Sequence, residues 1–128
     1  MKKTSVLSAF NNHLLEFVND MYSMFPNDNE IGATRNYFLF VKKNNPRLLL
    51  TWWTESIVKL YRKEIEAGNI DFLINKNYNK DFSTCDNTSE IITKIDTLRK
   101  PINNMNATDK KKIIKYFKNL TKISDLDN

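Results

Sequence analysis

The chain has 128 residues, 41% hydrophobic and 12% aromatic, a formal net charge of +5, and only two Gly, one His and one Cys. That length and apolar content suit one domain that buries a core without disulfides or metals as staples. The scarcity of Gly, His and Cys excludes a glycine-rich phosphate loop and a zinc site of about four Cys or His ligands, and it leaves His13 and Cys85 with no evident partner for a nucleophilic triad. No catalytic residue, metal or cofactor is expected, so the sequence points towards binding.

The first segment, about Thr4 to Phe25, carries Val6, Leu7, Phe10, Leu14, Leu15, Phe17, Val18, Met21, Tyr22 and Phe25. These recur at three- and four-residue steps, the spacing of one helical face. Thr4 or Ser5 suits the N-cap, and Pro26 pushes the residue before it out of the helical region. A second helix is predicted from Asn27, with Glu30 three residues on as its capping-box partner, through Ile31, Tyr37, Phe38, Phe40 and Val41 to about Lys43. Gly32 weakens it by up to about 1 kcal/mol relative to Ala. The apolar run around Leu39 would also fit a strand, but the length and the cap favour helix.

A third helix is bounded by Asn45 as cap, Pro46 in the first turn and Gly68 just past the end. Leu48, Leu49, Leu50, Trp52, Trp53, Ile57, Val58, Leu60, Tyr61 and Ile65 cover more than one stripe of it, which predicts a central helix contacted on two sides. On its surface Glu55 to Lys59 is a favourable one-turn pair and Lys59 to Lys63 an unfavourable one.

Beyond Gly68, the residues Ile70, Phe72, Leu73 and Ile74 suit a short helix or an extended tuck. The polar stretch from about 75 to 87 reads as a surface loop anchored by Tyr78 and Phe82. Thr88 or Ser89 can cap a fourth full helix with Ile91, Ile92, Ile95 and Leu98, stopped by Pro101. The last helix starts near Thr108 with Ile113, Ile114, Phe117, Leu120 and Ile123, and the tail from 124 to 128 should fray. The expected architecture is all-α: a single domain over 1–128, a compact bundle of about five helices around the helix at 45–68.

Two features stand out as candidate sites. Neighbours on a helix point about 100° apart, so Trp52 and Trp53 can both be buried only if two elements pack on their helix. Otherwise one faces outward as an anchor for a protein partner. The second feature is the basic stripe of the last helix, where Lys111, Lys115, Lys118 and Lys122 follow at steps of four, three and four, with Lys110 and Lys112 beside them. Such a stripe either stays solvated or neutralises phosphates. Lysines without interleaved Arg or aromatics, Tyr116 apart, do not read bases, so any nucleic-acid contact would be nonspecific.

Surface placement suits the carboxylate pairs Glu16 with Asp20 and Glu64 with Glu66, as it suits His13. Cys85 has no flanking positive group to activate it. A protein-binding module should expose Trp52, Trp53 or a Phe in an apolar patch of several hundred Å². A nucleic-acid binder should join the last helix to Lys42, Lys43 or Arg47 in one positive surface.

The sequence pI of about 9.3 is mildly basic. Asn11, Asn12, His13, Glu16 and Asn19 interrupt any apolar run after Met1-Lys2-Lys3, which argues against a secretory signal. No apolar run approaches the roughly 20 residues that span a bilayer. With one Cys and no signal, a reducing, cytoplasmic location without membrane contact is expected. The acceptor-like triplets at Asn87, Asn106 and Asn119 then carry little weight.

Phe25-Pro26-Asn27-Asp28, Asn45-Pro46-Arg47, Trp53 through Tyr61, Gly68-Asn69-Ile70-Asp71-Phe72 and Tyr78-Asn79-Lys80-Asp81-Phe82 together resemble the small, uncharacterised helical proteins of large nucleocytoplasmic (giant) DNA viruses. The resemblance covers roughly residues 10 to 82, and the Asn-, Lys- and Ile-heavy composition fits it. It supplies no catalytic residue. It implies a protein of the infected host's cytoplasm, associated with the virion or the virus factory, whose partner is another viral or host protein.

Overall fold

The computed structural model describes residues 3–69 and 89–127. The stretch Ile70 to Ile74, the polar loop at 75–87 with its Tyr78 and Phe82, and Cys85 therefore lie outside the described residues. Within them the fold is all-α. Helix α1 spans Lys3–Met24 and α2 spans Asn29–Asn44. A kinked rod follows, built from α3 (Leu48–Trp52), a π-helical segment (Trp53–Val58) and α4 (Lys59–Glu66), with a non-helical backbone at Tyr61 (φ −128°, ψ 19°). Helices α5 (Ser89–Asn103) and α6 (Ala107–Asp125) complete the bundle.

The long apolar face of α1 is the reason the bundle closes. Val6, Phe10, Leu14, Phe17, Val18 and Met21 are all at most 2% exposed. This face meets α2, α3 and α6, while the rod packs on α1, α2 and α6 and α5 lies on α2. The core thus belongs to α1 and the rod jointly.

Local chemistry sets each boundary. Asp28, not Asn27, caps α2: its Oδ1 accepts from the Glu30 and Ile31 amides at 3.0 and 3.2 Å. Gly32 of α2 faces the Tyr22 ring of α1. A Cβ there would stand 3.3 Å from the Tyr22 ring, so the helix cost of glycine is offset by close packing.

The rod begins at Leu48 rather than at Asn45-Pro46. Its N-terminal flank Arg47 makes no side-chain cap, and the Pro46 carbonyl instead accepts from Asn11 Nδ2 at 2.9 Å, tying the turn to α1. The C-terminal end matches its signal. Gly68 has φ 76°, the Asn69 amide reaches Glu64 O at 2.8 Å and the Gly68 amide reaches Ile65 O at 3.0 Å, the paired bonds of a Schellman motif.

Two expectations for the C-terminal half are corrected. Pro101 does not stop α5: it sits inside the last turn, and the helix continues to Asn103. Ile102 and Met105, at 0% and 8% exposure, extend the core beyond it. The tail does not fray at 124 either. Ser124 is 2% exposed and donates to Thr121 O, α6 runs to Asp125, and Asp127 accepts from Arg47 Nη2 at 2.7 Å. Arginines of the α2–α3 turn and the rod hold the end of α6 in place.

Candidate functional site

Of the two alternatives for the tryptophans, the first holds: both rings are buried and neither faces outward. Trp52 is 2% exposed and Trp53 3%, so neither presents a surface to a partner. The rod is covered on more than one side, which is the condition both rings needed. Trp53 meets Phe10 of α1 at 6.2 Å and Phe117 of α6 at 5.5 Å between ring centroids. Trp52 lies edge-on to Trp53 at 6.1 Å, and both line a small apolar void with Ile95 and Leu98 of α5. A run of Ser56, Ile57 and Val58 is buried in the same π segment, whose wider turn brings successive residues towards the core.

The exposed apolar residues lie elsewhere. Phe40 is 64% and Leu39 46% exposed, adjacent on the outer side of α2, while Leu60 and Leu126 stand out of the rod and past the end of α6. Arg35 and Lys43 lie one turn on either side of Leu39. No apolar periodicity singles out Phe40 and Leu39, because the continuous run from Tyr37 to Val41 hides which members face in. Only Phe38 and Val41 of that run are buried.

Along α6, Lys111, Lys115 and Lys122 are exposed and Lys118 is half-buried. The stripe exists, but carboxylates interleave it. Lys112 and Lys115 share a cleft with Glu16 and Asp20 of α1, and Lys118 and Lys122 share a groove with Glu66 and Asp125. Arg62 makes a two-pronged bond to Asp125, at 3.0 and 2.7 Å. That contact holds the Asp125 carboxyl below its ordinary pKa and raises the guanidinium. Arg47 is bound to Asp127, and Lys42 Nζ donates to Asn12 Oδ1 at 2.7 Å. Carboxylates thus lie among the cations of the turn and of α6, while Lys42 is tied to an uncharged residue of α1.

The carboxylate and histidine candidates separate. Glu64 and Glu66 stay near the rod end, Glu66 within 3.8 Å of Arg62. His13, Glu16 and Asp20 instead come together with Lys112, Lys115, Tyr116 and Asn119 in a cleft of about 350 Å³ between α1 and α6. The spacing 13, 16, 20 on one helix and 112, 115, 116, 119 on the other puts each set on one face. His13 Nδ1 lies 3.5 Å from Glu16, its ring rests 5.0 Å from that of Tyr116, and its buried Nε2 has no hydrogen-bond partner in the protein. The Tyr116 hydroxyl donates to Asp20 Oδ2. Burial first, and then this bond, push the phenol pKa well above its ordinary value.

Sequence reasoning found His13, Glu16, Asp20 and the lysines but not their meeting. The signal was available only once α1 and α6 were known to pack along one another. Among the described residues no group of three or more His, Cys, Asp and Glu is placed to hold a metal ion, and no helix is long and apolar enough to cross a membrane. Set against known proteins, the chain matches no family model, no curated protein and no solved structure.

Proposed function

We propose that this chain is a non-enzymatic helical module that binds another protein through the outer side of α2, and, following the resemblance, does so in the virion or the virus factory of the host cytoplasm. The observation that carries the reading is the exposure of Phe40, 64%, beside Leu39 on a helix whose other large apolar residues face the core. An exposed aromatic of this size supplies a binding anchor when a partner desolvates it. Lys43, exposed about one turn beyond Phe40, suits a partner whose apolar pocket is rimmed by carboxylates.

Nonspecific nucleic-acid binding through Lys111, Lys115, Lys118 and Lys122 is less favoured, because Glu16, Asp20, Glu66 and Asp125 share the grooves of those lysines or of their neighbour Lys112. Phosphate attraction weakens where like charges of the nucleic acid meet fixed carboxylates. The test compares wild type with Leu39→Ala/Phe40→Ala by proximity labelling in cells. Proteins enriched by wild type and lost with the variant, at unchanged thermal stability, support the α2 surface; identical profiles remove it. Fluorescence anisotropy with DNA and RNA at about 50 and 200 mM salt, with Lys115→Glu/Lys118→Glu alongside, decides the other reading: a phosphate-driven complex weakens by orders of magnitude over that range.

A further inference from the structure

The cleft between α1 and α6 carries carboxylates on its α1 side and ammoniums on its α6 side, so a lone anion meets repulsion as well as attraction there. Glu16 and Asp20, one turn apart on α1, form its acidic wall, and Lys112 and Lys115, about one turn apart on α6, form its basic wall. Among the described residues no ion pair joins the two walls: Glu16 lies 3.5 Å from His13 Nδ1 on its own helix, and Lys112 lies 4.0 Å from Asp109 on its own. Tyr116 donates to Asp20 Oδ2 and so fixes that carboxylate at the cleft. The adjoining rings of His13 and Tyr116 hold the α1 and α6 side chains in register there.

Either wall alone is a weak site. A single exposed charge pair is screened by water and salt and holds a ligand only weakly. A molecule that carries both charges gains both attractions for one loss of translational freedom. Two ammoniums a turn apart suit a dianion better than a carboxylate, since lysine binds phosphate as a point charge. The two carboxylates suit one ammonium. We propose that this cleft binds a small zwitterion joining an ammonium to a phosphate, its amine on Glu16 and Asp20 and its phosphate on Lys112 and Lys115. A volume of about 350 Å³ accommodates a molecule of that size.

The test is an NMR titration of the full chain with O-phosphoethanolamine, with ethanolamine and inorganic phosphate as its two halves. The expected result is saturable shifts of the His13 and Tyr116 ring signals, at an affinity at least about tenfold tighter than for either half. Glu16→Gln and Lys115→Gln, both at exposed positions, should each weaken binding about tenfold while the unfolding midpoint stays unchanged. Phosphatidylethanolamine vesicles, whose phosphodiester carries one negative charge and not two, should not co-sediment the chain; co-sedimentation lost in the same variants would overturn the assignment to a free phosphomonoester. Absence of ring shifts, an equal response to inorganic phosphate, or variants that bind as wild type would each overturn the proposal.

Discussion

Tyr116 and Phe117 are consecutive on α6, yet they belong to different environments along one seam with α1. On the inner side Phe117 stacks edge-on to Phe17 and Trp53, with ring centroids 5.6 and 5.5 Å away, and the surroundings are apolar. On the outer side Tyr116 touches Phe17 with its ring and gives its hydroxyl to Asp20, among charges open to water. A step of about 100° around the helix separates the buried apolar part of the seam from the part that carries charged side chains. The inner side cannot change without loss of the fold; the outer side can vary at small cost.

The strongest way to break this comparison is to empty the inner side. Trp53→Ala removes a 3% exposed ring from between Phe10 and Phe117 and should cost about 3–5 kcal/mol, read as a shift of the urea midpoint. A loss below about 1 kcal/mol would mean that the Trp53 ring is not packed as described.

The sequence made some of this legible and hid the rest for identifiable reasons. The three- and four-residue spacing from Val6 to Met21 is local, so α1 could be read directly. Gly68 marked the rod end because only a residue tolerant of φ 76° closes a Schellman turn. Trp52 and Trp53 were ambiguous, because their burial depends on how many elements cover the rod, a property of the whole fold. Pro101 misled as a stop signal: within the last turn of α5 only the bond back to Thr97 is lost, and burial of Ile102 outweighs it. The docked tail depends on Arg47 meeting Asp127, 80 residues away, which no local pattern carries.

Gly68→Ala tests the junction between the rod and α6 and ranks second. A Cβ there would meet Ile114 Cγ2 at 3.7 Å and Lys118 Nζ at 3.9 Å, ordinary contacts, so sterics against α6 are not the cost. The backbone is: a left-handed conformation penalises a non-glycine residue by about 1–2 kcal/mol. Thermal unfolding should register that loss without any change in the 280 nm or near-ultraviolet signals of the aromatic core.

Tyr116→Phe probes the outer side and should cost about 0.5–1.5 kcal/mol at neutral pH, the range of one hydrogen bond. Its pH dependence sharpens the test. Burial and the bond to Asp20 raise the phenol pKa in the folded chain above its unfolded value of about 10. The protonated phenol therefore contributes fully below pH about 10, and that contribution is lost as pH rises through the folded value. Wild-type stability should fall more steeply than that of Tyr116→Phe above pH about 10. Parallel curves would show that the Tyr116–Asp20 bond does not hold in solution.

The smallest effect is expected where α6 is fastened to the rod. Arg62 and Asp125 meet in good two-pronged geometry, but their side chains are 44% and 42% exposed, so water and salt screen the attraction. Asp125→Asn should cost no more than about 1 kcal/mol at neutral pH, the range of exposed pairs. The sign with pH follows from the lowered carboxyl: its contribution is present above the unfolded carboxylate value of about 4 and is lost as pH falls through the lower folded value. The gap between wild type and variant in unfolding midpoint should therefore narrow as pH falls below about 4, and 1 M salt at neutral pH should narrow it as well. A gap that survives both acid and salt would mean that Asp125 acts through packing at the end of α6, and the tail would then be held mainly by Arg47 and the buried Ser124.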